Sequence, residues 1–241
     1  MKRFFEADLH GAEFRECDLS GARLIGVVMQ DAVIDGLVSN LVVNGVEVMG
    51  YVEAELDRRH PVRQLLRSDD PAPLMKGWRQ LRADWAATVE RLRRMPEGSE
   101  LRRVDGEWSA VETMRHLVFV YDSWFRRCCL GRSQPFTSVG LAADFVPDQA
   151  EQGLDPQARP SLGDVLAVRD EQAAELEDWL STVSADDLTA LAPIPDDAGW
   201  PPYARGRTVA QCLHTVLNEE WAHHGFCVRD LDRLSEEIDG V

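Results

Sequence analysis

Apolar side chains between residues 74 and 237 recur at the helical spacing of three and four residues, in four long stretches. The stretches run from Leu74 to Met95, from Ser109 to about Leu130, from Ser161 through Leu180, and from Thr208 to about Glu237. Ser109 precedes Glu112 by three residues, which is the pattern of a capping box at a helix start. Four helices with one long crossover loop predict a mainly α protein built on a four-helix bundle.

The first forty residues have a different period, with a large apolar residue at every fifth position. These central residues are Leu9, Phe14, Leu19, Leu24, Met29 and Ile34. A period of five fits neither an α-helix nor a flat strand. The pattern resembles the pentapeptide-repeat family, and the resemblance implies a short right-handed quadrilateral β-helix with the six side chains stacked inside. Fewer than two coils cannot bury their own ends, so we expect this cap to dock on another surface.

Local signals suggest where the cap ends and the bundle begins. Residues 41–48 alternate around an Asn44-Gly45 turn, which predicts a hairpin that closes the cap. Residues 51–60 have helical spacing and stop before Pro61, and a Pro-rich connection covers residues 69–73. We therefore predict a cap over residues 1–50, a helical linker over 51–73 and a bundle over 74–241.

Composition narrows the function classes. The formal net charge of −16 opposes binding to nucleic acid, because such proteins need Lys and Arg to displace counterions from phosphates. No run of about 18 apolar residues predicts a membrane span, and the chain start turns acidic too early for a secretory signal. Five cysteines without zinc-finger spacing are typical of reduced thiols. We expect a cytoplasmic protein with neither membrane nor nucleic acid as a partner.

Three of the six histidines lie in a context that suits metal binding. His116 lies on the second predicted helix, and His223 and His224 lie on the fourth, each four residues after a glutamate, Glu219 or Glu220. Residues four apart project from one helix face and can hold one ion, while a third ligand arrives from a facing helix. Three protein ligands leave positions open for water or substrate, as in a catalytic metal site.

Two short segments resemble the second-helix and fourth-helix motifs of the DinB family. They are residues 108–117, Trp-Ser-Ala-Val-Glu-Thr-Met-Arg-His-Leu, and residues 218–225, Asn-Glu-Glu-Trp-Ala-His-His-Gly. The resemblance covers about residues 74–238 and implies a DinB-like four-helix bundle with a three-ligand site for a divalent metal, usually zinc or nickel. This chain has a carboxylate where the family usually has a third histidine, and the resulting set also suits manganese or iron(II).

The fourth helix offers two ligand registers, Glu219 with His223 or Glu220 with His224. The predicted buried stripe consists of Leu213, Val216, Leu217, Cys227 and Leu231. Helix phase puts the second pair near the centre of this stripe and the first pair at its edge. We therefore predict that His116, Glu220 and His224 bind the metal and that His223 and Glu219 move protons at the mouth of the site. The alignment with the family motif favours the other register, which stays open.

The DinB resemblance implies an S-transferase or isomerase that uses a small-molecule thiol, with mycothiol as the natural co-substrate, and acts on a small electrophile. It also implies a homodimer, unless the repeat cap covers that surface. Three alternatives remain open. In the first, the Glu–His pair only satisfies a buried polar layer. In the second, the protein is a non-catalytic binding or stress-related protein with a structural or absent metal. In the third, the metal supports hydrolysis.

Overall fold

The computed structural model describes residues 3–14, 17–36 and 38–239. The chain divides into two compact units, Met1–Met49 and Gly50–Val241. Residues 51–73, which the sequence suggested as a linker, belong to the second unit.

The first unit ends in the predicted hairpin. Strand β1, Val42–Val43, pairs antiparallel with strand β2, Val46–Glu47. Asn44 and Gly45 connect them with positive φ angles of 50° and 83°. A two-residue hairpin turn of this kind needs positive φ at both positions, which Asn and Gly adopt most readily. The Asn-Gly pair in the sequence therefore predicts the turn correctly.

The five-residue repeat appears as a series of turns. The Asp8 carboxylate accepts a hydrogen bond from the His10 amide at 3.0 Å, and Asp18 accepts one from the Ser20 amide at 2.8 Å, two repeats later. Gly11 and Gly21 follow these turns, both at a φ of 71°. The same local geometry therefore returns with the sequence period.

The predicted quadrilateral β-helix is not seen in the part of residues 3–36 that the structure describes, where no strand occurs. The six central side chains are half exposed rather than stacked inside: Leu9 45%, Phe14 54%, Leu19 55%, Leu24 63%, Met29 52% and Ile34 59%. A central side chain in a solenoid is covered by the coils above and below it. So few repeats supply too few coils to cover them.

The second unit is helical. Its elements are α1 Met49–Arg59, α2 Val62–Leu66, α3 Pro71–Leu92, a 3₁₀ turn Ser99–Leu101, α4 Ala110–Val120, a π-helix Tyr121–Cys129, α5 Leu162–Leu180, α6 Ala185–Thr189 and α7 Val209–Asp239. The π-helix continues α4, so the four long predicted helices are confirmed as α3, α4 with its continuation, α5 and α7. None of the described helices combines the length and apolar character needed to cross a membrane.

Side-chain caps explain where three of these helices begin. Asp70 accepts a hydrogen bond from the Ala72 amide, and Pro71 occupies the first turn of α3. Ser109 and Glu112 form the predicted capping box at the start of α4, and Ser161 and Asp164 form another at the start of α5. Each cap satisfies amide groups that have no partner within the helix.

The four long helices form a closed ring around the core. Helices α3 and α4 each contact both α5 and α7. Leu81 of α3, Leu117 of α4, Leu176 of α5 and Leu217 of α7 are all fully buried between them. Helix α4 is enclosed on nearly every side, since each residue from Thr113 to Val120 is buried. A polar side chain in this part of α4 therefore projects into the interior of the protein.

The long loop between the π-helix and α5 is tied to α4 by Arg115. Its buried guanidinium donates hydrogen bonds to the carbonyl oxygens of Val139, Asp155 and Ala158, at 2.8 to 3.2 Å. The Leu141 amide donates to the Arg115 carbonyl at 3.0 Å. These bonds hold the loop beside the next residue of the helix, His116.

A second buried arginine fixes the segment before α7. The Arg127 guanidinium donates to the Ser133 carbonyl at 2.6 Å and forms an ion pair with Asp197, and its side chain is 1% exposed. Gly199 lies against it: a Cβ atom there would stand 2.3 Å from the Arg127 Cζ atom. Because Arg127 is bonded on two sides, it has little room to move away.

We expect Gly199→Ala to destabilise the protein by roughly 1–3 kcal/mol, the usual effect of overpacking a filled interior. The φ of Gly199 is not positive, so the substitution tests space rather than backbone strain. The free energy of unfolding in urea measures the effect. Gly163→Ala in α5 is the matched control, since a Cβ there meets only the Ser161 Oγ atom at an ordinary 3.7 Å. Equal stability of the two variants would contradict the account.

Candidate metal centre

Helices α4 and α7 bring three potential metal ligands together. His116 projects from α4, and Glu219 and His223 project from α7. One ligand atom from each lies within 4.8 Å of the others, the only such group of three or more His, Cys, Asp or Glu residues in the described ranges. The Glu219 Oε2 atom is 3.6 Å from His116 Nε2 and 3.2 Å from His223 Nε2.

The backbone of the crossover loop orients His116. The Nδ1 atom of the imidazole is 3.2 Å from the carbonyl oxygen of Leu141, the residue whose amide is bonded to Arg115. A carbonyl oxygen only accepts hydrogen bonds, so Nδ1 must carry the hydrogen. A backbone carbonyl on one ring nitrogen is the usual way in which proteins orient a metal-binding histidine.

The protonation states of His116 and Glu219 leave two acceptors facing each other. Burial lowers the pKa of His116, and its contact with Glu219 offsets this only in part. Burial acts to raise the pKa of Glu219, but contacts with His116 and His223 lower it to about 2. A neutral His116 with its one hydrogen on Nδ1 presents a lone pair at Nε2 to an ionised carboxylate. A cation between the two atoms would relieve this repulsion.

The spacing of the donor atoms fits a small divalent ion. Tetrahedral ligands that lie 2.0–2.1 Å from zinc stand roughly 3.3 Å from one another. The two separations from Glu219, 3.6 and 3.2 Å, lie on either side of this value. Two imidazoles and one carboxylate form a donor set that zinc accepts and that also suits nickel.

Glu220 lies in a different part of the core. It is 2% exposed, and its two carboxylate oxygens accept hydrogen bonds from the guanidinium of Arg169 on α5, at 3.1 and 2.8 Å. Helix phase correctly predicted that Glu220 is buried. Its partner, Arg169, lies on the same buried face of α5 as Val165, Ala173 and Leu176. That position in the sequence indicates a charged side chain in the core.

His224 also contacts residues other than His116. Its Nε2 atom is 2.9 Å from the Thr88 hydroxyl on α3, and its ring contacts the Trp85 ring at 5.0 Å. Burial lowers the pKa of His224, and interaction with the backbone of Asp84 offsets this only in part. Of the three predicted ligands, the structure therefore brings only His116 to the cluster. Glu219 and His223, predicted to move protons, are the residues that join it.

Aromatic rings enclose the cluster. The Trp108 ring centroid is 4.8 Å from that of His116 and 6.4 Å from that of His223, on which it stacks. Phe119 lies 6.2 Å from His116, and Phe226 lies 5.5 Å from His223. These rings displace water from several sides of the polar group, while Glu219, whose side chain is 33% exposed, opens toward solvent. A low local dielectric strengthens the interaction of the donors with a cation.

Comparison with known families agrees with this architecture. The profile of the DinB superfamily matches residues 80–227, which is more than half of the chain and includes all the residues of the cluster. A profile of pentapeptide repeats matches residues 3–36. No curated protein and no solved structure matches the chain. The protein therefore belongs to the DinB superfamily and carries pentapeptide repeats at its N-terminal end.

Proposed function

We propose that this protein binds one divalent metal ion through His116, Glu219 and His223, and that it either transfers a low-molecular-weight thiol to small electrophiles or isomerises them with the help of that thiol. The observation that carries the proposal is the 3.6 Å separation between the His116 Nε2 atom and the Glu219 carboxylate. Two electron-rich atoms are held close together, and a cation bound between them would remove their mutual repulsion.

The donor set favours zinc or nickel over the harder cations. Magnesium and calcium prefer all-oxygen sites, whereas two imidazole nitrogens and one carboxylate suit the later transition metals. The charge of Glu219 makes the bound ion a weaker Lewis acid than three neutral imidazoles would. Such an ion still acts on a thiol, which loses its proton more easily than water does.

The proposed roles of the side chains follow from their contacts. The bond from His116 to the Leu141 carbonyl keeps Nε2 free to donate its lone pair, and Glu219 supplies the negative charge. Trp108 shields both imidazoles from water. A divalent ion bound there would supply Lewis acidity, which lowers the pKa of a coordinating thiol toward neutrality. Mycothiol is the thiol that the DinB resemblance suggests.

This proposal exchanges the roles that helix phase suggested. Glu219 and His223 become ligands instead of proton carriers, and Glu220 and His224 become structural groups. Both changes rest on the contacts that each side chain makes: the first pair contacts His116 or one another, and the second pair contacts Arg169 and Thr88.

The competing account is a hydrogen-bonded triad without a metal, in a non-catalytic protein. In that account the Glu219 carboxylate accepts hydrogen bonds from both imidazoles. His116 would then need a hydrogen on each ring nitrogen, one for Leu141 and one for Glu219, and would be a cation. Burial opposes that charged form by lowering the pKa of His116. The metal-bound account requires no such charged ring.

We expect His116→Ala and His223→Ala each to weaken zinc binding by about 100-fold or more, beyond the 10–100-fold loss typical of residues outside the ligand shell. Each variant removes one of three donors. Isothermal titration of the metal-stripped protein without a histidine tag measures the affinity.

His224→Ala is the matched control, because it removes the adjacent histidine of the same helix. We expect it to leave zinc affinity close to that of the wild type, since His224 is bonded to Thr88. Loss of affinity in His224→Ala with full binding in His223→Ala would reverse the ligand assignment. Absence of zinc binding by the wild type would refute the metal site itself.

We expect the metal-loaded wild type to accelerate the reaction of mycothiol, or of a simpler thiol, with a small electrophile, because the ion raises the thiolate fraction at neutral pH. Loss of thiol absorbance or of electrophile measures the rate. The controls are the metal-stripped protein and metal-treated His223→Ala. Equal rates in all three samples would exclude the thiol-dependent activity while leaving the metal site untouched.

A further inference from the structure

Helix α7 carries two Glu–His pairs that offer the same donor atoms. The pairs are Glu219 with His223 and Glu220 with His224, displaced by one residue. One residue is about 100° around an α-helix, so a rotation of α7 by that angle would exchange the two pairs. Donor chemistry does not distinguish them. A contact outside the two pairs must therefore determine which of them faces His116.

The contact of Glu220 with Arg169 determines which pair faces His116. The two side chains are 3% and 8% exposed, and both carboxylate oxygens are engaged, at 3.1 and 2.8 Å. Two parallel charge-assisted bonds fix direction as well as distance. A buried carboxylate without its partner is strongly unfavourable. Glu220 is therefore held on the side of α7 that faces α5.

Arg169 is itself held in place by α3. Its guanidinium lies 5.2 Å from the centre of the Trp85 ring. Trp85 in turn contacts the His224 ring at 5.0 Å, and Thr88 lies 2.9 Å from the His224 Nε2 atom. Helices α3 and α5 thus hold both members of the second pair. The first pair, Glu219 with His223, therefore lies beside His116.

Resting on the proposed metal site, we propose that Arg169 is a positioning residue that selects Glu219 and His223 as ligands by sequestering Glu220. A buried ion pair is weak evidence for added stability, and its best-attested role is to fix the register of packed helices. Here the register has a chemical consequence. It determines which carboxylate and which imidazole reach the ion, although Arg169 does not touch the ion.

Titration with Co²⁺, which accepts nitrogen and oxygen ligands and reports its ligand set in its visible spectrum, tests the proposal. We expect Arg169→Met to lower the Co²⁺ affinity by about 10-fold to 100-fold, the size typical of a residue that orients ligands. We also expect its visible spectrum to change, because the released Glu220 carboxylate competes for the ion.

The double variant Arg169→Met with Glu220→Met is the matched control. It removes both charges, keeps apolar side chains of similar length in the core, and leaves no competing carboxylate. We expect its Co²⁺ affinity and spectrum to return close to those of the wild type. A purely structural ion pair would alter the unfolding temperature of the single variant and leave its Co²⁺ spectrum and affinity unchanged, which would overturn the proposal. A double variant as weak as the single variant would also overturn it.

Arg169→Lys extends the test to the case in which Arg169→Met does not fold, as judged by circular dichroism. Lysine keeps the buried charge but lacks the two-pronged geometry, so we expect an intermediate loss of affinity. Wild-type affinity in Arg169→Lys would overturn the proposal. Failure of the wild type to bind Co²⁺ would be visible before any variant is compared, and would refute the metal site on which this inference rests.

Discussion

The candidate site depends on the hydrogen bond between His116 and the carbonyl oxygen of Leu141. This bond assigns the imidazole hydrogen to Nδ1 and leaves the Nε2 lone pair directed at the Glu219 carboxylate. Burial keeps the ring neutral by lowering its pKa. The geometry of the candidate site thus depends on a loop, because the hydrogen bonds of Arg115 hold the crossover segment against α4, where Leu141 accepts the hydrogen bond from His116.

Much of the bundle could be predicted from local pattern. The capping box at Ser109, the hairpin at Asn44-Gly45 and the four long helices each depend on residues close in sequence, and the structure contains all of them. Helix phase also predicted correctly that Glu220 is buried. Helix starts, turns and buried faces are set by neighbouring residues, so the sequence alone predicts them.

The Glu–His pair that lies beside His116, and the packing of the repeat segment, depend on contacts that sequence alone does not give. Phase favoured Glu220 and His224 as ligands because burial alone does not distinguish a metal ligand from an ion-pair partner. The partner, Arg169, lies 51 residues away in the chain. The β-helix expectation relied on coils covering one another, and the half-exposed central side chains show that this cover is missing. The position of the Glu–His pairs and the packing of the repeats are both determined by contacts between residues distant in sequence.

Diffraction from crystals soaked in zinc, recorded at its absorption edge, tests the central claim most directly. The account predicts one anomalous peak about 2.0–2.2 Å from His116 Nε2, from a Glu219 oxygen and from a His223 nitrogen. It also predicts that Glu220 remains paired with Arg169 in the same map. A peak beside Glu220 and His224, or no peak near His116 at saturating zinc, would contradict it.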